Sequence, residues 1–193
     1  MFLLHRPSPR DVARFLDASA ALRLSYAPVG LARTGALGFS MDEEVAAVGS
    51  GEAAFARATA ALAEWRHFDL GWVELHPRQA EITHGTVVAV AIRHFGFWSL
   101  NGCRVVSSIS DPRQSTFGFA YGTLTNHAEC GEEIFEVRLD RGTGEVTYRI
   151  RAVSRPRALL ARLGYPLTRM LQARFRRDSV AAVRRAVSPA AGR

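Results

Sequence analysis

Apolar residues recur in two rhythms along this 193-residue chain. Val12, Phe15, Leu16 and Ala20 keep helical spacing after Ser8-Pro9-Arg10-Asp11. There Ser8 can cap free N–H groups, Pro9 suits the first helical position and Asp11 favours the positive helix end. A loop with Pro28, Gly30, Gly35 and Gly38 follows, then an extended piece near Met41–Val48 that ends in Gly49-Ser50-Gly51. Ala54, Phe55, Ala58, Ala61, Leu62 and Trp65 return to helical spacing and predict a second helix with its aromatic end towards the core. From Phe68 to Val153 the rhythm shortens to β-rich runs broken by turn residues at about ten-residue spacing, as in an antiparallel meander. Strands are predicted near 68–75, 85–94, 97–109, 116–124, 133–140 and 145–153. Turns fall at His94-Phe95-Gly96, Ser110-Asp111-Pro112-Arg113 and Asp140–Gly144.

The last predicted element runs from about Pro156 to Val187, with Leu160, Leu163, Leu167, Leu171 and Phe175 on one side and arginines around much of the rest. Gly164-Tyr165-Pro166 predicts a kink in it, because Pro166 has no N–H to donate and its ring crowds the preceding turn. Ser154-Arg155-Pro156 reads as the cap of this helix. An antiparallel sheet must cover one face, and a long helix with an apolar stripe is the natural cover. The expected class is therefore α+β, a curved antiparallel sheet of about six to seven strands wrapped round a long, kinked C-terminal helix, with a cavity between them. A helical extension over residues 1–23, one domain over 24–187 and a disordered tail over 188–193 complete the expected organisation.

Composition changes this picture little. With 48% hydrophobic and 22% charged residues the chain is ordinary for a globular domain with one core. Cys103 and Cys130 form no metal-binding or redox spacing, and reduced thiols are the simplest reading. The apolar start Met1–Leu4 is cut off by His5 and Arg6, and no stretch approaches a membrane span, which leads to an expectation of a cytoplasmic protein. Charge is more informative. All 25 basic residues are arginines, the net charge is +7, and residues 155–193 carry ten arginines against one acid, Asp178. Such an end is suited to a weak contact with an anionic surface.

Several motifs in a fixed order carry a resemblance. Tyr26-x-x-Val29-Gly30, Trp65, Trp72, Asn101-x-Cys103-Arg104-Val105-Val106, Phe119-x-Tyr121-Gly122-Thr123-Leu124-x-x-His127, Gly131-Glu132-Glu133-x-Phe135 and Ser154-Arg155-Pro156 resemble the bacterial and plant family called domain of unknown function nineteen-ninety, over roughly residues 24–185. The element order is also similar to the helix-grip fold of the START, Bet v 1 and polyketide-cyclase superfamily (SRPBCC). That second resemblance implies a hydrophobic cavity between sheet and helix. Members bind lipids, steroids and polyketides, and a minority catalyse cyclisation, dehydration or hydrolysis.

Strand alternation selects the candidate chemistry. Phe117, Phe119, Tyr121 and Thr123 share one face of their strand, and Gly118 and Gly122 lie on the other. With Phe135, Val137 and Leu139 inward on the next strand, Glu133 turns inward too. A carboxylate there needs a partner, and Arg104, Tyr121 and Tyr148 are the candidates. Glu133 is then either a structural buried bond, a ligand-orienting or acid/base group, or a solvated strand end. Arg104 itself has ambiguous parity. His127 is either a proton shuttle at the cavity mouth or a loop residue.

Trp72 and Glu74 share parity, and Trp98 with Asn101 lies near a strand start. These aromatics read as core or as ligand wall. His67, His76, His84 and His94 lack metal-ligand spacing, and no nucleophile elbow, phosphate loop or dinucleotide fingerprint occurs, so no metal or cofactor is expected.

Three functions remain open. The first is binding of a small apolar or amphipathic molecule (lipid, isoprenoid or polyketide-like) by Trp72, Glu74, Trp98, Asn101, Arg104, Phe119, Tyr121, Thr123, Glu133, Phe135, Tyr148, Leu167 and Leu171. The second is cyclase or hydrolase chemistry using Glu133, Tyr121 and His127. The third is docking of the arginine-rich helix on anionic lipid or nucleic acid, without sequence-specific recognition of the latter.

Overall fold

The computed structural model describes residues 1–111, 113, 115–157 and 165–188. Eight strands, β1 (Phe2–Leu3), β2 (Ser40–Ser50), β3 (Val73–His76), β4 (Val87–Arg93), β5 (Trp98–Asp111), β6 (Thr116–Thr123), β7 (Glu129–Leu139) and β8 (Glu145–Pro156), form one sheet. Its order is β2-β8-β7-β6-β5-β4-β3, antiparallel throughout, with β1 paired to the first residues of β5 beyond the end of β6. The helices among the described residues are α1 (Pro9–Ala20), the single turn α2 (Leu31–Thr34), α3 (Gly51–Ala63) and α4 (Tyr165–Val187), with a 3-10 turn at Arg66–Phe68.

Curvature comes from the strands themselves. Register slips in β2 between Ala47 and Gly49 and in β5 between Val105 and Ser107, so one extra residue on each strand bends it and increases its twist. The concave side holds the main core. Phe119, Phe135, Val137, Tyr148 and Ile150 from the sheet pack against Ala58 and Leu62 of α3, Trp65 and Phe68 beside the 3-10 turn, and Val180, Val183 and Val187 of α4. This is the expected grip of a curved sheet on a C-terminal helix.

The convex side is covered as well. The Ser8–Asp11 capping box forms at the start of α1, and Val12 and Phe15 of that helix pack on Ala89, Ala91 and Leu100. Residues 1–20 are thus a cover for β4 and β5. The segment from Leu24 to Ala32 covers Val106, Ala120 and Ile134.

Two sequence expectations change. Ser154-Arg155-Pro156 does not cap a helix: these residues extend β8, with Ser154 paired to both Ser40 and Gly131. Residues 68–72 precede β3 as turn and loop. The predicted kink at Gly164, and Leu160 and Leu163 of the predicted stripe, lie outside the described residues, as do residues 189–193 of the predicted tail.

Candidate functional site

At one end of the grip β5 begins, β6 ends, β7 begins and β8 ends, and here sheet and α4 separate. A cavity of about 230 Å³ lies between them. The opposite end is packed solid by the rings of Trp65, His67, Phe119, Phe135 and Tyr148. Phe68, Trp72, Val90, Phe97, Leu171 and Phe175 give the cavity its apolar wall. Its polar groups come from strand ends that carry inward parity: Ser99 and Asn101 on β5, Tyr121 and Thr123 on β6, Glu129 and Glu133 on β7, with His127 from the β6–β7 connection and Gln172 and Arg176 from α4.

Glu133 has Tyr121 opposite it in register, and the tyrosine hydroxyl donates to its Oε2 at 2.8 Å. Burial pushes the Glu133 carboxyl up to about 7, although the Tyr121 hydrogen bond and the Arg176 charge oppose that shift. Burial, and then the neighbouring Glu133 charge, hold the Tyr121 hydroxyl well above its ordinary value. Glu129 accepts from Gln172 Nε2 at 2.8 and 2.9 Å, and burial raises its proton affinity too. Gly131 stands between these carboxylates because any side chain there would collide with the Val153 carbonyl of β8. The backbone N–H of Glu129 donates to His127 Nδ1 at 2.9 Å. With Nδ1 accepting, the ring proton sits on Nε2, and burial lowers the imidazole to about 4, so it is a neutral donor near pH 7.

Two arginines reach this region from α4, and one aspartate takes both. Arg169 makes a two-pronged ion pair with Asp42 of β2, with Nη2 2.6 Å from Oδ1, and also donates to Gln172 Oε1 at 2.9 Å. Arg176 Nη2 lies 3.4 Å from Asp42 Oδ1. Among the described residues neither Glu129 nor Glu133 has an ion-pair partner, and no group of three or more His, Cys, Asp or Glu could hold a metal.

Of the residues singled out from sequence, Trp72, Asn101, Tyr121, Thr123, His127, Glu133, Leu167 and Leu171 line the cavity. Trp72 also donates from Nε1 to Asp178 at 2.8 Å and lies under the Arg174 guanidinium, which ties the residue just before β3 to α4. Asn101 donates to Ser99 Oγ at 2.9 Å and accepts from the Ala128 N–H, an arrangement that closes the turn before β7.

The others lie elsewhere. Arg104 points to the convex side and donates to the Ala20 carbonyl at the end of α1, so it is no partner of Glu133. Trp98 packs with α1 on the same convex side. Glu74 pairs with Arg6 and His76, because β3 starts after Trp72 and the alternation does not carry through. Phe119 and Phe135 are core, and Tyr148 is buried with its hydroxyl 2.9 Å from Ser179 Oγ.

Glu129, Gln172 and Arg176 were not singled out. Glu129 has the same parity as Glu133, a signal that only an earlier start for β7 exposes, while Gln172 and Arg176 each follow a residue of the Leu171–Phe175 stripe.

A curved sheet gripping a helix over a part-polar cavity defines a protein of the helix-grip class. Within it the chain belongs to the family described as a domain of unknown function, DUF1990, which matches residues 25–182. A UPF0548 protein of Dictyostelium discoideum is 31% identical over 93% of this chain and 92% of its own. Another from Deinococcus radiodurans is 36% identical over 90% and 92%. Among solved structures, a hypothetical protein of Helicobacter pylori shares the fold at 11% identity and a TM-score of 0.53, covering 87% of this chain and 96% of that one.

The family motifs acquire distinct jobs. Glu132, next to Glu133 but on the opposite face of β7, is buried on the convex side and accepts from the Tyr26 hydroxyl at 2.6 Å and the Gly30 N–H at 2.9 Å. Gly122 leaves the space that the Tyr26 ring occupies. Tyr26, Gly30, Gly122 and Glu132 therefore fasten the segment before β2 to the back of the sheet.

Proposed function

We propose that this protein binds a compact amphipathic molecule in the cavity between sheet and α4. The observation that carries the reading is a space of about 230 Å³ walled by aromatic and aliphatic side chains and furnished with carboxylate, amide and imidazole groups from the ends of β5 and β7, the β6–β7 connection and α4. Ligand sites commonly pair an apolar wall with a few convergent polar groups and occupy roughly 300–1,000 Å³, so the smaller volume favours a small ligand over a long lipid. The arginine-rich face gives less support to surface docking, since Arg169, Arg174, Arg176 and Arg184 each make contacts within the chain. No helix among the described residues is long and apolar enough to cross a membrane.

The test is titration with 2-(1-naphthyl)ethanol, a neutral aromatic alcohol, followed by calorimetry. Saturable one-to-one binding that is lost in Leu171→Trp, whose larger side chain fills the cavity, supports the reading. Absence of saturable binding to the wild-type protein, or binding indifferent to that substitution, overturns it.

One observation favours a second reading, in which the site performs acid–base chemistry: Glu133 holds its proton up to about pH 7 and has a hydroxyl 2.8 Å away. Native mass spectrometry of co-purified ligand separates the two. An enzyme retains its unconverted substrate in Glu133→Gln, whereas a binder's variant retains no molecule that the wild type lacks.

A further inference from the structure

The sign of the cavity runs against the sign of the protein. The chain carries a net charge of +7, yet the carboxylates facing the cavity are the groups without counter-ions. Asp42 on the edge strand draws off both arginines of α4 that approach the site. In hydrogen-bond contact Glu129 has the amide of Gln172 and the hydroxyl of Ser154, and Glu133 has the hydroxyl of Tyr121, all of them uncharged. His127 accepts from the backbone of Glu129 itself and stays neutral.

A buried carboxylate gains most from a positive partner in direct contact, and among the described residues Arg169 and Arg176 act on Glu129 and Glu133 only from a distance, their ion pairs being with Asp42. Around these groups stand Phe68, Trp72, Tyr121 and Phe175, whose ring faces also attract cations.

Resting on the cavity reading above, we infer that the natural ligand is cationic, an amine-bearing amphiphile whose ammonium group sits between Glu129 and Glu133 with its apolar body against the aromatic wall. Both carboxylates project from one face of β7 with only Gly131 between them, so a single ammonium can donate to either or to both. The Arg169–Asp42–Arg176 cluster then serves to keep arginines from occupying the place of the ligand.

The test compares three probes with one ring system at pH 8: 2-(1-naphthyl)ethylamine, 2-(1-naphthyl)ethanol and 1-naphthylacetate. The amine should bind at least about tenfold more tightly than the alcohol, on the scale of a charge-assisted bond, and the acetate more weakly than either. Glu133→Gln and Glu129→Gln should each reduce the ratio of amine to alcohol affinity by at least about threefold, and a ratio unchanged in both variants overturns the cationic assignment. Equal affinity for amine and alcohol, or a preference for the acetate, overturns the cationic assignment and leaves the cavity reading standing. Failure of all three probes to bind overturns both.

Discussion

Replacing Glu133 by Gln tests the electrostatics of the cavity without any knowledge of its ligand. The amide keeps the shape of the carboxyl and an oxygen that can accept from Tyr121 at the same 2.8 Å position, but it cannot ionise. The folded state raises the Glu133 carboxyl from an ordinary 4.5 to about 7, chiefly through burial. Because the folded value lies above the unfolded one, folding favours the protonated form. That stability is fully present below about pH 4.5 and is lost as pH rises through about 7. The rise from 4.5 to about 7 corresponds to a loss of about 3 kcal/mol, most of it falling between pH 5 and pH 8.5. The variant lacks this loss.

Urea unfolding at those two pH values should therefore find Glu133→Gln close to wild type at pH 5 and more stable by about 2–3 kcal/mol at pH 8.5. The titrations of His67 and His127 are common to both proteins and largely cancel in the comparison, whereas Glu129, whose charge raises Glu133, titrates with it, so the measured difference belongs to the pair. If the stability difference stays within about 0.5 kcal/mol across the range, the carboxylate is better solvated or better paired than this geometry allows, and the argument for a counter-ion-seeking cavity collapses.

His67 is buried among Trp65, Phe68 and Phe135 with neither ring nitrogen hydrogen-bonded, and burial lowers it to about 3. Its folded value lies below the unfolded one, so stability is lost as pH falls. The advantage of His67→Leu over wild type should grow by about 2 kcal/mol between pH 7 and pH 5 in the same unfolding assay, and a constant difference would contradict this. Glu132→Gln should cost about 2 kcal/mol by weakening the bonds from Tyr26 and Gly30, with Tyr26→Phe costing roughly half as much. Thermal unfolding checks both, and a neutral Glu132→Gln would mean that the convex segment is held by apolar contact alone. Binding of 2-(1-naphthyl)ethylamine at pH 7 should expel about half a proton, because Glu133 is about half protonated there and a cation favours its ionised form. Calorimetry in buffers of different ionisation enthalpy measures that release, and proton uptake would contradict it.

Alternation was a reliable guide where one face of a strand was clearly core. It placed Phe119, Tyr121 and Thr123 together and turned Glu133 inward, because β6 and β7 are regular over those residues. It failed where both faces are covered. In β5 the concave residues Cys103 and Val105 alternate with Leu100 and Val106, which pack under α1 and the Leu24–Ala32 segment. Apolar character on both sides removes the signal that would have shown Arg104 and Trp98 pointing away from the cavity. Strand ends were the other weakness. Starting β7 at Glu133 leaves Glu129 in a loop, and stopping β8 before Ser154 turns a ladder residue into a helix cap. Since the cavity is built from strand ends, the least legible positions are the ones that furnish it.

The two functional readings of Glu133 are coupled through its ligand. A neutral, apolar occupant would remove what water reaches the carboxyl and raise its proton affinity further, leaving a protonated acid poised to donate. A cationic occupant does the opposite: it stabilises the carboxylate, lowers the proton affinity and converts Glu133 into a counter-ion with little power as an acid. His127 cannot take over that role, since a neutral imidazole held at about 4 donates a hydrogen bond far more readily than it gains or gives up a proton near pH 7. The charge of the ligand therefore decides the chemistry. An amine makes this cavity a binding site that holds its cargo by an ion pair, and only an uncharged molecule leaves Glu133 and Tyr121 available as an acid–base pair.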